Sequence, residues 1–216
     1  MKNPAIPILI CSAIFFHACQ PKPELSLPEK VAAAYGFDTF GDVKSISYTW
    51  NVQRDSVNII VRDWKWDIQN RSVTFADADT SYTYSMDLPK EQLPPADKGF
   101  INDKYWLLFP FQLVWDSGYS YEAVENVTAP ISGAAATKLT ILYNNEDGYT
   151  PGDAYDLYLD EYNMIKEWVF RRGNGAEGRP MTWENVEDHG GIKITTEHKN
   201  ADGQRVIWFS NIKIEK

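Results

Sequence analysis

The sequence contains few residues of the kinds that bind metals or carry out nucleophilic catalysis. It has three histidines and two cysteines among 216 residues. This scarcity excludes most zinc, iron–sulfur and Cys/His chemistry, which requires several of these side chains together. Basic residues are outnumbered too, since 21 Lys and Arg stand against 30 Asp and Glu and leave a net charge of −9. Because nucleic-acid binding needs clustered cations to neutralise phosphates, we expect no nucleic-acid partner.

Aromatic residues, by contrast, are abundant. The chain has 8 Trp, 12 Tyr and 10 Phe, more large rings than a chain of this length needs merely to fold. The length itself suggests one domain with a short appendage. The composition therefore raises one main question, which is what the aromatic side chains do.

Residues 1–18 have the pattern of a secretory signal peptide. A short basic start precedes an apolar run over residues 5–16, which is too short for a permanent membrane span. The segment ends in Ala18-Cys19 and resembles a bacterial lipobox, so we expect lipidation of Cys19. The alternative is an ordinary signal cut at Ala18 that leaves Cys19 as a free thiol. Lipidation is favoured because Cys11 leaves with the signal, and an unpaired cysteine is a liability in an oxidising compartment.

The sequence after the signal predicts an anchored, acidic protein. We expect residues 19–26 to form the lipidated cysteine and a proline-rich tether, and residues 27–216 to form a single domain. Removal of residues 1–18 takes away one lysine and no acid, which leaves a net charge of −10. Gln20 is not the aspartate that retains lipoproteins in the inner membrane. We therefore expect a location in the bacterial cell envelope, at the outer membrane, with the membrane contacted through acyl chains; whether the domain faces the periplasm or the exterior stays open.

Two helices are predicted. Ser26 and Glu29 have the spacing of a capping box, which predicts a helix over residues 27–35 that Gly36 ends. Residues 102–109 are predicted to form a short capped helix that ends at Pro110.

The rest of the domain has a hydrophobic period of two, which predicts antiparallel strands with one solvated face. Trp64 and Trp66 fall out of phase with Val57, Ile59 and Val61, so we expect either a bulge or a strand buried on both faces. About eleven strands are predicted, over residues 46–50, 57–61, 73–75, 82–86, 120–127, 137–143, 154–160, 165–172, 181–188, 191–198 and 205–214. Tight turns are expected at residues 189–191 and 200–203.

Three segments carry a resemblance to a known family. They are the helix end Ala-Tyr-Gly at 34–36, the segment YWLLFPFQL at 105–113, and the strand YDLYLD at 155–160. Together with the order of the predicted elements, they resemble the lipoproteins built on the lipoprotein-carrier (LolA/LppX-like) fold. The resemblance implies a mainly β (α+β) domain, a curved antiparallel half-barrel around a helical plug, with an apolar cavity that accepts acyl chains or other lipids. A lipid anchor departs from the pattern of the soluble carriers, which move between membranes.

The aromatic residues are the candidate ligand-binding site. An open sheet of this width is too wide for its own side chains to fill, so bulky rings are expected to line its concave face. The alternative is that these rings form only the core. The candidates are Trp50, Trp64, Trp66, Tyr84, Trp106, Phe109, Phe111, Trp115 and Trp168, with Trp208 as a further ring.

We interpret the chain as a non-catalytic envelope lipoprotein that binds a lipid or another hydrophobic ligand. Alternatives are a module that binds glycans or an envelope protein through exposed aromatic rings, for which Trp64 and Trp66 would also serve, and a structural accessory lipoprotein. No cofactor is predicted, and no nucleophile elbow accompanies His189 or His198, the latter expected at an exposed strand end. The acidic region 144–161 is expected to be a solvated rim rather than a calcium site, because its spacing does not match a calcium-binding loop.

Overall fold

The computed structural model describes residues 24–144 and 150–216. Helix α1 spans Leu27–Ala34 and confirms the predicted capping box. The Glu29 carboxylate accepts hydrogen bonds from the backbone N–H of Ser26 at 2.7 Å and from its hydroxyl at 2.6 Å. Gly36 follows the C-cap residue Tyr35 and stops the helix with a φ of +92°, a conformation that favours glycine. A 3₁₀ turn at Phe37–Asp42 then leads into the sheet.

The described residues form twelve strands, all paired antiparallel. They are β1 (Ser45–Gln53), β2 (Ile59–Asp67), β3 (Ser72–Ala76), β4 (Ser81–Ser85), β5 (Tyr119–Thr128), β6 (Ala135–Tyr143), β7 (Ala154–Leu159), β8 (Ile165–Arg171), β9 (Arg179–Thr182), β10 (Glu184–His189), β11 (Ile192–Lys199) and β12 (Arg205–Glu215). A seven-stranded sheet has the order β10-β11-β12-β1-β2-β3-β4, and a five-stranded sheet has the order β5-β6-β7-β8-β9.

The predicted strand 181–188 is divided at Trp183. Its first part lies in β9, which pairs with β8, and its second part is β10, which pairs with β11. Trp183 itself donates its backbone N–H to the carbonyl of Lys166 at 2.8 Å. The backbone N–H of Lys199 in β11 donates to the Thr182 hydroxyl at 2.9 Å, so the two sheets also touch here. Strands β9 and β10, joined at Trp183, thus connect the two sheets, and the strands form an open, curved wall rather than a closed barrel.

Helix α2 spans Ala96–Trp115 and packs against both sheets. Its Phe100 ring lies 5.5 Å from Trp64 of β2, and its Phe109 ring lies 5.3 Å from Trp168 of β8. The helix is therefore the plug that the LolA-like resemblance implied.

The prediction that this helix ends at Pro110 is wrong. Proline lacks a backbone N–H and its ring crowds the preceding turn, so it usually ends or kinks a helix. Here Leu108 adopts φ −121° and ψ 25°, outside the helical region, and the helix bends and continues through Pro110.

The structure of β2 explains why Trp64 and Trp66 differ in phase from Ile59 and Val61. Its register with β1 is uninterrupted from Ile59 to Asp67, so the strand carries no bulge. Trp64 is buried, whereas Ile59 and Val61 are 48 % and 43 % exposed. Both predicted explanations are therefore wrong, because the aliphatic residues lie on the solvent side of a regular strand. No helix within the described ranges is both long and apolar enough to cross a bilayer.

Candidate ligand-binding cavity

The aromatic residues predicted to line a cavity fall into three clusters inside the wall, with one exception. Trp208 lies on the opposite side of β12 from the buried Phe209, with the Arg205 guanidinium 4.0 Å from its ring centroid. The other nine candidate aromatic residues pack on α2 or on the strands that face it.

The first cluster contains Trp50, Trp64 and Tyr84, and its two tryptophans contact a partly buried ion pair. Arg62 donates two hydrogen bonds of 2.7 Å to the carboxylate of Asp103, which has no exposed surface. The indole N–H of Trp64 donates to the same carboxylate at 2.9 Å, and the Arg62 guanidinium lies 4.0 Å from the Trp50 ring centroid. Burial raises the pKa of Asp103, while the hydrogen bonds and charge of Arg62 lower it. These rings position α2 against β2 and do not line the cavity.

The second cluster contains Trp106, Phe109 and Trp168 and packs within the core. Trp106 and Trp168 have ring centroids 4.3 Å apart, and Phe109 lies 5.3 Å from Trp168. Trp183 packs against the same Trp168 ring at 5.4 Å. Phe109 has no exposed surface, and Trp168 is 2 % exposed. This group is therefore packing between α2 and β8.

His198 belongs to the second cluster, and the expectation that it lies on an exposed strand end is wrong. It is fully buried, because it shares the inward phase of β11 with Ile192 and Ile194. Its ring lies 4.7 Å from Trp183, and its Nδ1 lies 3.0 Å from the carbonyl oxygen of Thr182. Burial lowers the pKa of His198 to about 4, so the imidazole is neutral near pH 7.

The third cluster contains Trp66, Phe111 and Trp115, and its Trp115 ring forms part of the floor of a cavity. Trp115 stacks on Phe111 at 5.7 Å and meets Trp66 edge to face at 6.3 Å. Phe40, in the turn after α1, packs on Trp115 at 4.7 Å, and Phe100 packs on Trp66 at 6.2 Å. Among the nine candidate residues, Trp115 is the one that lines the cavity, with Trp66 and Phe111 directly behind it.

The cavity has a volume of about 520 Å³ and lies along the kinked helix. Both halves of α2 line it, with residues 97–105 from the first half and residues 112–115 from the second, and the loops at residues 86–93 and 116–117 close two sides. The volume falls within the roughly 300–1,000 Å³ of small-molecule sites. The apolar lining residues are Met86, Leu93, Phe100, Ile101 and Trp115; the polar ones are Asp97, Lys104, Tyr105, Gln112, Asp116, Ser117, Tyr143, Asn144 and Thr150.

The polar groups of the cavity form short hydrogen-bonded chains. The Tyr105 hydroxyl donates to the Tyr143 hydroxyl, which in turn donates to the Asp116 carboxylate at 2.7 Å. Asp97 accepts a hydrogen bond of 3.0 Å from the Tyr84 hydroxyl. Burial raises the pKa of Asp116 and lowers the pKa of Lys104, because both charges lie away from bulk water.

Sequence reasoning missed the polar lining of the cavity. Lys104 lies inside the predicted helix 102–109, but nothing in its spacing marks it as a cavity residue. Asp116 lies beyond the predicted helix end at Pro110, and Tyr143 is the last residue of β6. A prediction that continued the helix through Pro110 with a kink would have placed Lys104 and Asp116 on the same side of the structure.

In the described part of the acidic region 144–161, carboxylates bind partners within the protein. Asp156 pairs with Arg171 at 2.8 Å and accepts a hydrogen bond from Thr140 at 2.7 Å. Asp160 accepts the backbone N–H groups of Tyr162 and Met164. Residues 145–149 of this region lie outside the described residues, and the rest of the structure holds no group of three or more side chains suited to a metal ion.

No protein-family model and no curated protein matches the chain. Among solved structures, the chain is similar to a LolA superfamily protein from Nitrosomonas europaea, with a TM-score of 0.50 and 8 % identity over 88 % of this chain and 92 % of that one. It also matches a DUF1329 family protein from Desulfovibrio piger (TM-score 0.47, 10 % identity, 88 % and 93 % covered) and an outer membrane lipoprotein-sorting protein domain from Vibrio parahaemolyticus (0.48, 12 %, 88 % and 91 %). The fold is thus LolA-like, as the sequence resemblance predicted.

Proposed function

We propose that this protein is a cell-envelope lipoprotein that binds a lipid or another hydrophobic ligand in the cavity beside α2, without catalysing a reaction on it. The observation that carries the proposal is the cavity itself. It is bounded by a kinked helix on one side and has an aromatic floor, as expected for a site that removes apolar surface from water. The LolA-like fold supports the same interpretation.

The floor of the cavity favours an apolar ligand. Phe100 and Trp115 present ring surface to it, and Trp66 supports both rings from behind. Leu93 and Ile101 add aliphatic surface on the sides. Burial of an alkyl chain against such surfaces stabilises a complex by about 0.8 kcal/mol per CH₂ group.

A glycan platform fits the described residues less well. Stacking on sugars requires coplanar, exposed rings, and the pair that sequence reasoning nominated was Trp64 and Trp66. Trp64 is 2 % exposed, and its indole N–H is bonded to the buried Asp103. That pair therefore cannot present two rings to a sugar at the surface.

Mass spectrometry tests ligand binding. The protein is purified from bacterial cells that express the full chain and is weighed under native and denaturing conditions, with the released lipid identified after extraction. We expect a native mass that exceeds the denatured mass by one hydrophobic ligand. Equal masses, together with no binding of added lipid, would refute the proposal.

A cavity-filling variant locates the site. Ile101→Trp adds a large ring to the cavity lining and should reduce the ligand-bound fraction, because the added side chain takes the space of the ligand. Val57→Trp is the matched control, since Val57 is 82 % exposed in the turn between β1 and β2. Equal occupancy of the two variants would place the ligand elsewhere in the molecule.

The anchor is tested separately, because Cys19 lies outside the described residues. Globomycin blocks the lipoprotein signal peptidase, so a longer precursor should accumulate in treated cells. Cys19→Ser should release the protein from the membrane fraction, whereas Ser26→Ala, a change in the helix cap, should leave it membrane-bound. An unchanged precursor level under globomycin would show that Cys19 is not an acylation site.

A further inference from the structure

Lys104 is the one basic residue among the described residues that line the cavity. Its Nζ lies 5.0 Å from the ring centroid of Trp66 and 5.7 Å from that of Phe100, which are cation–π distances. The side chain is partly buried. Within residues 24–144 and 150–216, its ammonium donates no hydrogen bond, and no carboxylate oxygen lies within 4.0 Å of it. The ammonium therefore lies over two aromatic rings with three N–H donors and without a close acceptor among the described residues.

Unlike Lys104, both carboxylates that line the cavity have hydrogen-bond partners within the protein. Asp97 accepts a hydrogen bond from Tyr84 at 3.0 Å, and Asp116 accepts one from Tyr143 at 2.7 Å. Both carboxylates act on Lys104 only at longer range and raise its pKa, while burial lowers it. The group that lacks a direct partner is thus a donor with a positive charge. Since a buried charge without a partner is unfavourable, the site is suited to a ligand that brings an acceptor.

We propose that Lys104 binds the head group of an amphiphilic ligand with a single negative charge, a carboxylate or a phosphodiester, while the apolar chain of the ligand lies along Leu93, Ile101 and Trp115. This inference rests on the proposed function and names the class of ligand. The negative head group forms charge-assisted hydrogen bonds with the ammonium, which the surrounding rings keep away from water. The apolar chain of the ligand then packs on the aromatic floor of the cavity.

The two carboxylates explain the limit to one charge. A head group with one negative charge can pair directly with the Lys104 ammonium, which has no carboxylate oxygen of the described residues within 4.0 Å. A second charge, as on a phosphomonoester, would face Asp97 or Asp116 across the same cavity without a further cation among the described lining residues. Like charges at close range in a partly dehydrated site repel strongly. The cavity therefore discriminates among head groups as well as selecting apolar chains.

Isothermal titration of the delipidated protein with probes of equal chain length tests the inference. The probes are decanoate, decanol and decyltrimethylammonium, which carry a negative, a neutral and a positive head group. We expect decanoate to bind roughly tenfold or more tightly than decanol, because hydrogen bonds to charged groups contribute more than neutral ones. Decyltrimethylammonium should bind more weakly than decanol.

Variants on α2 assign the preference to one side chain. Lys104→Met keeps the aliphatic stem and should lower decanoate affinity about tenfold while leaving decanol affinity unchanged. Lys98→Met is the matched control, because Lys98 is exposed on the same helix and does not line the cavity. If Lys104→Met failed to fold, the ratio of decanoate to decanol affinity in the unchanged protein would still decide the question.

The outcomes separate this inference from the proposed function. Equal binding of decanoate and decanol to the unchanged protein, or an unchanged ratio in Lys104→Met, would overturn the head-group assignment and leave hydrophobic binding intact. Failure of every probe to bind would overturn both. Lysophosphatidylglycerol serves as the phosphodiester probe, and lysophosphatidylglycerol binding that depends on Lys104 where decanoate binding is weak would assign the head group to a phospholipid source.

Discussion

Arg62 on β2 and Asp103 on α2 form a bidentate ion pair with both N···O distances at 2.7 Å, and the carboxylate has no exposed surface. The pair connects the plug helix to the seven-stranded sheet. A third donor, the indole N–H of Trp64, occupies the same carboxylate at 2.9 Å. The charge of Asp103 is therefore held by three donors from one strand.

Removal of Arg62 should destabilise the protein strongly. Arg62→Met leaves the Asp103 carboxylate buried without its cation, and we expect a loss of about 3–5 kcal/mol in the free energy of unfolding, measured with urea. Adding Asp103→Leu should restore part of that loss. Arg71→Met is the control, because Arg71 and Asp87 form an exposed pair, and it should cost less than about 1 kcal/mol. Similar losses in Arg62→Met and Arg71→Met would contradict this account.

His198 should make stability depend on pH on the acid side. Its pKa is lowered by burial to about 4 from the ordinary 6.5. As pH falls below 6.5, His198 becomes protonated in the unfolded chain but stays neutral in the folded protein until about pH 4. Folding stability is therefore lost across this window. The loss amounts to about 3 kcal/mol at pH 4. Urea unfolding from pH 4 to 7 should show a shallower fall for His198→Gln than for the unchanged protein, and parallel curves would disprove the assignment.

Gly36 should tolerate no side chain. Its φ is +92°, and a Cβ built on it would lie 1.8 Å from the carbonyl oxygen of Gly191. We expect Gly36→Ala to lower the thermal midpoint markedly, with a loss of more than about 2 kcal/mol in unfolding free energy. Gly41→Ala is the counterpart, since a Cβ there meets nothing within 4 Å and should change stability by less than about 0.5 kcal/mol. An equal shift in both variants would count against the close approach at Gly36.

The bend in α2 should control the cavity. Pro110→Ala restores a backbone N–H that can bond to the carbonyl of Trp106, which favours a straighter helix. Straightening moves residues 112–115 relative to residues 97–105, so we expect weaker binding of decanol with little change in stability. Pro95→Ala, at the start of the helix, should leave binding unchanged. Affinity by titration calorimetry decides the matter, and equal decanol binding by Pro110→Ala would show that the cavity does not depend on the kink.

Local signals in the sequence predicted much of the fold. The spacing of Ser26 and Glu29 predicted α1, and Asn200 with Gly203 predicted the turn between β11 and β12, where Asn200 Oδ1 accepts two backbone N–H groups. Period-two patterns located the strands, and their count differed from the observed one only because Trp183 interrupts the strand predicted at 181–188. These features depend on neighbours close in sequence, which is why one sequence sufficed for them.

Features that depend on distant contacts were harder to predict. The phase of β11 could have placed His198 inside, but its charged neighbours Glu197 and Lys199 favoured an exposed site. Pro110 ends most helices, and only the packing of both helix halves on the sheets retains the kinked one. The cavity lining needed knowledge of that kink, so Trp115 was nominated for its ring alone and Lys104 was missed. Whether the nine aromatic candidates contact a ligand stays a prediction.

The position of β12 between β11 and β1 has a consequence for the order in which the protein folds. Among the described residues, the first strand, β1, pairs antiparallel with the last strand, β12, with Ser45 opposite Glu215 and Val52 opposite Ile207. During synthesis from the N-terminus, the seven-stranded sheet cannot be completed until β12 has been made. Pairing across such a sequence separation is slow. The seven-stranded sheet is therefore completed late, whereas the five-stranded sheet, which does not contain β12, can pair its strands earlier.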